Sequence, residues 1–358
     1  MTKNYRIPLM LFSITALVAA MWAGLIRLGW HWPVLQPTLP LGHGPLMISG
    51  FLGTLLILER AVALGVRWPY IGSLLSGVGG LLLAIGWSEH LGPVLLTLGS
   101  LWLVIIFVVV LRQHWASYTL VMGLGAVAWL IGSLFWLFGW PVHTFVLWWA
   151  GFLILTIVGE RLELGRILRL SQNTKLAFNL AVSIFVIGLV VMMLHYDIGI
   201  RIVGLGMLFQ ALWLLRFDIA RRTVRQSGLT RYIAICLLSG YVWMIVSGVI
   251  AMIYGSVTAG PIYDAMLHAI FLGFVFSMIF GHAPIIFPAV LELPIDYRPS
   301  LYLPLILLHT SLTLRIVGEF AGSSWARLWG GLINVIALLI FLGMVAPVRQ
   351  LFGANNNS

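Results

Sequence analysis

The sequence predicts an all-α, polytopic integral membrane protein: one transmembrane domain over residues 1–358, built from twelve helices. Three observations carry the prediction. Of 358 residues, 61% are apolar and 8% charged, with a mean hydropathy of +1.06, far from a soluble globular composition. Apolar runs long enough to cross a hydrocarbon core of ~30 Å recur along the whole chain. Lys and Arg gather in alternate connections, the charge asymmetry that orients spans in a bilayer. Twenty basic against ten acidic residues therefore describes membrane orientation, and nucleic-acid binding is excluded as the meaning of the +10 charge. Cys236 is the single cysteine, which rules out an intrachain disulfide and any cysteine-built zinc or iron–sulfur site.

Taken in order, the first run, 7–29, follows Lys3 and Arg6 as a signal peptide would. It is longer than a signal h-region and leads straight into further spans, so it reads as helix one. The other runs fall near 42–66, 69–88, 91–112, 117–139, 141–160, 176–196, 199–216, 229–254, 262–290, 300–319 and 325–347. Lys3 and Arg6, Arg60 and Arg67, Arg112, the cluster Arg161 to Lys175, the cluster Arg216 to Arg231, and Arg349 share one side if the N-terminus is cytoplasmic. Both termini are then inside, and helices two, six and ten run inward. Trp30, Trp32, Trp68, Trp87, Trp140 and Trp325 fall at the interfaces, as an aromatic belt would.

The three inward-running helices resemble one another. Helix two reads His43-x6-Gly50-Phe51-x7-Glu59-Arg60, helix six His143-x7-Gly151-Phe152-x7-Glu160-Arg161, and helix ten His268-x4-Gly273-Phe274-x7-His282. Small-plus-large steps recur by chance in Gly-rich membrane helices, and a true repeat is the competing reading. The two Glu-Arg pairs read as structural, at the inner interface where Arg can snorkel.

An ionisable residue inside an apolar span needs a reason. His268 and His282 are fourteen positions apart, roughly 21 Å along a helix, so they lie in opposite leaflets and cannot share one metal. His31, His90, His114 and His195 fall at loops or helix ends, where a solvated imidazole costs little. His43, His143 and His268 lie within about two turns of the outer end of their helices, and His309 near the middle of helix eleven. A lone membrane histidine is more often a hydrogen-bonded packing residue than a ligand. Several at one depth could build a heme or copper site, because neutral imidazole suits iron and copper. Arg27 and Arg315 approach the same depth. For Arg315 two readings stand: an i,i+4 pair with Glu319, or a cation for the carboxylates of a bound porphyrin.

Helices one, two, six and ten together resemble the catalytic subunit of heme–copper oxidases and nitric oxide reductases. Leu25-Ile26-Arg27 resembles that family's helix-one Leu-Ile-Arg, and His43-Gly-Pro-Leu-Met47 its helix-two His-x-x-x-Met. Trp136-Leu-Phe-Gly139-Trp140-Pro141-Val-His143 echoes the helix-six motif, and Met266-Leu-His268 the start of the helix-ten motif. The resemblance implies an oxidase-like twelve-helix bundle in which His43 and His268 hold a low-spin b-type heme. It also shows losses: Met266 stands at the high-spin heme ligand, Trp140 at the helix-six copper ligand, and helix seven has no His-His pair. What it implies is a retained bis-histidine heme b and a lost oxygen-reducing centre, with His143 leaving open a rebuilt copper site. The chain is also similar, in size, helix count and histidines on inward-running helices, to the NnrS family of heme- and copper-binding membrane proteins implicated in nitric oxide protection.

The expectation is therefore a multi-pass protein of the bacterial inner membrane, embedded in the lipid bilayer. His43 and His268 ligate the heme, Arg27 and Arg315 stand near its propionates, and His143 and His309 are further metal-ligand candidates for copper. The function expected is nitric oxide response or respiratory electron transfer, with a small diatomic ligand and an electron donor as partners; nothing in the sequence establishes turnover. The rival is a metal-free transporter or channel whose polar pathway is lined by Asp264, His268, His282 and Arg315, supported by Pro284 and Pro288, which predict a helix break just after His282. A purely structural protein would leave the buried histidines without a task.

Overall fold

The structure is a computed structural model that describes residues 3–291 and 297–345, and the side chains of 5–290 and 297–345. Arg349 and the Lys3 side chain, both used in the orientation argument, lie outside the described residues. Within them every regular element is helical. The helices are α1 (Lys3–Leu28), α2 (Leu39–Leu64), α3 (Tyr70–Ile85), α4 (Leu91–Gln113), α5 (Ser117–Leu137) and α6 (Val142–Leu168). They continue as α7 (Gln172–Met192), α8 (Tyr196–Phe217), α9 (Gly228–Tyr254), α10 (Pro261–Val290), α11 (Pro299–Phe320) and α12 (Ser324–Val345). Eleven of them are long and apolar enough to cross a membrane, so the chain is a polytopic helical membrane protein. The other, α3, has 16 residues, about 24 Å of helix, shorter than the run 69–88 from which it was expected.

Local chemistry sets the ends. Ser171 precedes α7 and its side chain accepts from the Thr174 N–H, a capping arrangement. Gly65 ends α2 with φ of 69°, a left-handed turn that only glycine adopts without strain. The break expected after His282 does not occur. The last segment of α10 is helical from Ser277 to Leu291, straight through Pro284 and Pro288. The helix-six run is also longer than predicted. Arg161, counted among loop cations, lies inside α6 and is buried.

The chain divides into two compact units, Met1–Arg166 and Ile167–Ser358. In the first, Ser13 donates to the Phe51 carbonyl at 3.0 Å and Ser73 to the Thr54 carbonyl at 2.9 Å, tying α1 and α3 to α2. Trp129 of α5 donates to Ser49 at 2.9 Å and stacks on Phe152 of α6 with centroids 4.6 Å apart. The two Glu-Arg pairs meet across helices, Arg60 of α2 binding Glu160 of α6. This satisfies ionised groups that lipid could not. In the second unit, Trp213 of α8 donates to the Thr174 carbonyl at 2.9 Å, and Ser247 of α9 to the Met266 carbonyl of α10 at 2.9 Å. Phe280 of α10 stacks on Phe341 of α12 at 3.8 Å. Such small-residue and polar contacts hold helices together where lipid removes the hydrophobic drive for association.

The sequence similarity between helices two and ten has a structural counterpart. Each contains an eight-residue π-helical stretch, Leu46–Gly53 and Ala269–Phe276. The Gly-Phe step occupies its fifth and sixth positions in both, as Gly50-Phe51 and Gly273-Phe274. Gly151-Phe152 of α6, by contrast, lies in regular α-helix. The likeness is therefore closest between α2 and α10.

Candidate functional site

The second unit assembles a polar cluster around His268. Pro261 opens α10, its fixed φ suiting a first helical turn, and Asp264 in that turn complements the helix dipole. His268 follows four residues later, on the same face, where the α-turns give way to the π stretch. Its Nδ1 lies 2.9 Å from the Asp264 carbonyl and 3.2 Å from Asp264 Oδ1. Both atoms only accept, so Nδ1 carries the hydrogen and the neutral ring has its lone pair on Nε2.

Arg315 of α11 completes the cluster. Its Nε donates to Asp264 Oδ2 at 2.9 Å and its Nη2 to Oδ1 at 2.8 Å, a two-pronged clamp. Gly330 of α12 makes room for it; a Cβ there would fall 2.7 Å from the Arg315 amide nitrogen. The i,i+4 pair with Glu319 is thereby corrected: Arg315 spends its donors on Asp264 across two helices. Two of its five N–H donors are committed in this way, and through Asp264 the clamp bears on His268. Glu319 is buried as well, and its Oε1 has no hydrogen-bond partner among the described residues.

In the first unit His43 stands in the first turns of α2, half-buried. Its Nδ1 lies 2.7 Å from the Ala20 carbonyl of α1, which again assigns the hydrogen to Nδ1 and the lone pair to Nε2. The ring lies directly on Gly24, where a Cβ would fall 2.7 Å from His43 Cε1 and 2.8 Å from Nδ1. Arg27, one turn further along α1, is exposed. His143 sits half-buried in the first turn of α6.

His309 differs from both. Trp243 of α9 donates its indole N–H to His309 Nδ1 at 2.9 Å. The lone pair is occupied, so the neutral ring carries its hydrogen on Nε2, which is buried without a partner among the described residues. In that tautomer His309 offers no ring nitrogen to a metal. His282 bonds through Nδ1 to the Met278 carbonyl at 2.7 Å.

The structure thus brings together His268, Asp264, Arg315 and Glu319. It places His43, His143 and Arg27 in the first unit and His268, His309 and Arg315 in the second. The described His, Cys, Asp and Glu side chains form no group of three or more that would hold a metal ion such as copper. An axial pair of imidazoles needs no such group, and His43 and His268 share one ring state, neutral and oriented through Nδ1 with the lone pair on Nε2. The Asp264 to His268 spacing was readable as i,i+4. The roles of Arg315 and Trp243 were not, because each depends on which helices are neighbours.

No curated protein matches the chain. A family model does match, over residues 6–349, so the chain belongs to the family described as a domain of unknown function, DUF8744.

Proposed function

We propose that the protein is a heme b-binding protein of the bacterial inner membrane, with His43 and His268 as axial imidazoles of one heme. The proposal includes twelve spans in an oxidase-like bundle with both termini cytoplasmic. The observation that carries it is the shared state of the two histidines: each gives its Nδ1 hydrogen to a backbone carbonyl, which orients the ring and makes Nε2 the ring nitrogen with the lone pair a metal would take. At His268 the Asp264 carboxylate, held by Arg315, adds basicity to the ring. A b-type heme held by two imidazoles supplies one-electron transfer, which fits respiratory electron transfer or sensing of nitric oxide better than oxygen activation. The protein's own part is to orient the imidazoles and keep water out.

The absorbance of the purified protein in the Soret region tests the reading. The expected spectrum is that of a low-spin b-type heme, with His43→Ala and His268→Ala each losing heme or turning it high-spin. A heme spectrum unchanged in both variants would overturn the ligand assignment.

A second reading is favoured by the Arg315–Asp264–His268 cluster with Glu319 beside it. In a metal-free transporter the same groups line a polar pathway or proton relay. Absence of any Soret absorbance from protein expressed with heme supplied, together with proton or solute movement in proteoliposomes, would favour it.

A further inference from the structure

α11 carries two buried ionisable side chains one turn apart: Arg315 is clamped to Asp264, and Glu319 meets that same carboxylate. Glu319 is 6% exposed, and its Oε1 has no hydrogen-bond partner among the described residues. The charged groups that act on it are Asp264 from α10, Arg315 on its own helix and Arg327 from α12. His268 bears on it through Asp264. Arg315 is already clamped to Asp264 through Nε and Nη2. An ionised Glu319 would be a second carboxylate beside the first, out of water and with an oxygen lacking a donor, a costly state.

We propose that Glu319 is a proton-binding site, which holds a proton inside the bundle beside the Arg315–Asp264 pair. Charge balance is the reason. With Glu319 neutral, the positive Arg315 and the negative Asp264 cancel. The proton has a short way out, since Glu319 is followed by the exposed residues Phe320, Ala321 and Gly322. Arg327, half-buried at the start of α12, steadies the carboxylate left behind. The inference rests on the polar-pathway reading of this cluster.

Infrared absorption of the purified full chain at neutral pH, in water and in deuterium oxide, tests it. The wild type should show a deuterium-sensitive C=O band of a protonated carboxyl. Glu319→Gln should lose the band, and Glu319→Asp should shift it, which separates assignment from misfolding. Asp264→Asn should lose it too, although Glu319 is intact, because Arg315 then draws its counter-charge from Glu319. Glu163→Gln, remote and part-exposed, should keep it. A wild type without the band, or a band that survives in Glu319→Gln or Asp264→Asn, overturns the proposal. A band that behaves as expected, with no proton movement in proteoliposomes, overturns only the pathway reading.

Discussion

Arg315 and Asp264 are joined across α11 and α10 by hydrogen bonds of 2.9 and 2.8 Å, and Asp264 in turn holds the Nδ1 hydrogen of His268. Removing one partner strands the other in a poorly hydrated place. Arg315→Ala should lower stability by about 3 kcal/mol, the low end for a broken buried pair, because the Asp264 side chain is 29% exposed. Arg315→Ala with Asp264→Asn should recover part of the loss. Thermal unfolding in detergent reads both, and an Arg315→Ala protein as stable as wild type would show that the clamp carries no weight.

Gly24 is the seat of the His43 ring. In Gly24→Ala the new methyl would fall 2.7 Å from Cε1, so the imidazole must leave its place and the bond to the Ala20 carbonyl must break. The expected cost is roughly 1–3 kcal/mol of overpacking, with weakened heme binding in a titration of the purified protein. Heme affinity and melting temperature equal to wild type would contradict the seat.

Trp243 and His309 form a donor–acceptor pair between α9 and α11. Trp243→Phe leaves His309 Nδ1 bare, and His309→Leu leaves the indole N–H bare, each at about 1–3 kcal/mol. The double variant should cost less than the sum, since it removes both polar atoms together. Full additivity in chemical unfolding would argue that the bond contributes nothing.

Arg60 and Glu160 pair α2 with α6. A double-mutant cycle with Arg60→Gln and Glu160→Gln should give a coupling on the order of 0.5–3 kcal/mol, as contacting charges do. A coupling of zero would mean that each residue is satisfied by other groups nearby.

Much of the architecture was readable from composition because lipid imposes a simple rule: a span must be apolar for some twenty residues and helical throughout. That rule locates helices and says nothing of their neighbours. Arg315 illustrates the limit. Its sequence neighbour Glu319 was the natural partner at i,i+4, and the structure chose Asp264, fifty-one residues away, because α10 and α11 pack side by side. Pro284 and Pro288 illustrate another. Proline predicts a break, yet α10 carries both without interruption. Helix α3 came out shorter than its apolar run, because the flanking segments 65–69 and 86–90 turn and bend instead of extending it. The state of each histidine was the least legible feature, since a tautomer is set by the one atom that meets Nδ1.

The paired π stretches give α2 and α10 a property that a plain rod lacks. A wider turn admits an additional residue without lengthening the helix much, so whatever follows is rotated about the axis relative to what precedes. His43 and Glu59 on one helix, and His268 and His282 on the other, are therefore aimed independently, as if each span were two short helices sharing an axle. Deleting a single residue from Leu46–Gly53 or Ala269–Phe276 should restore an ordinary helix and swing one end of the span away from its neighbours, while a conservative replacement at the same place leaves the aim intact.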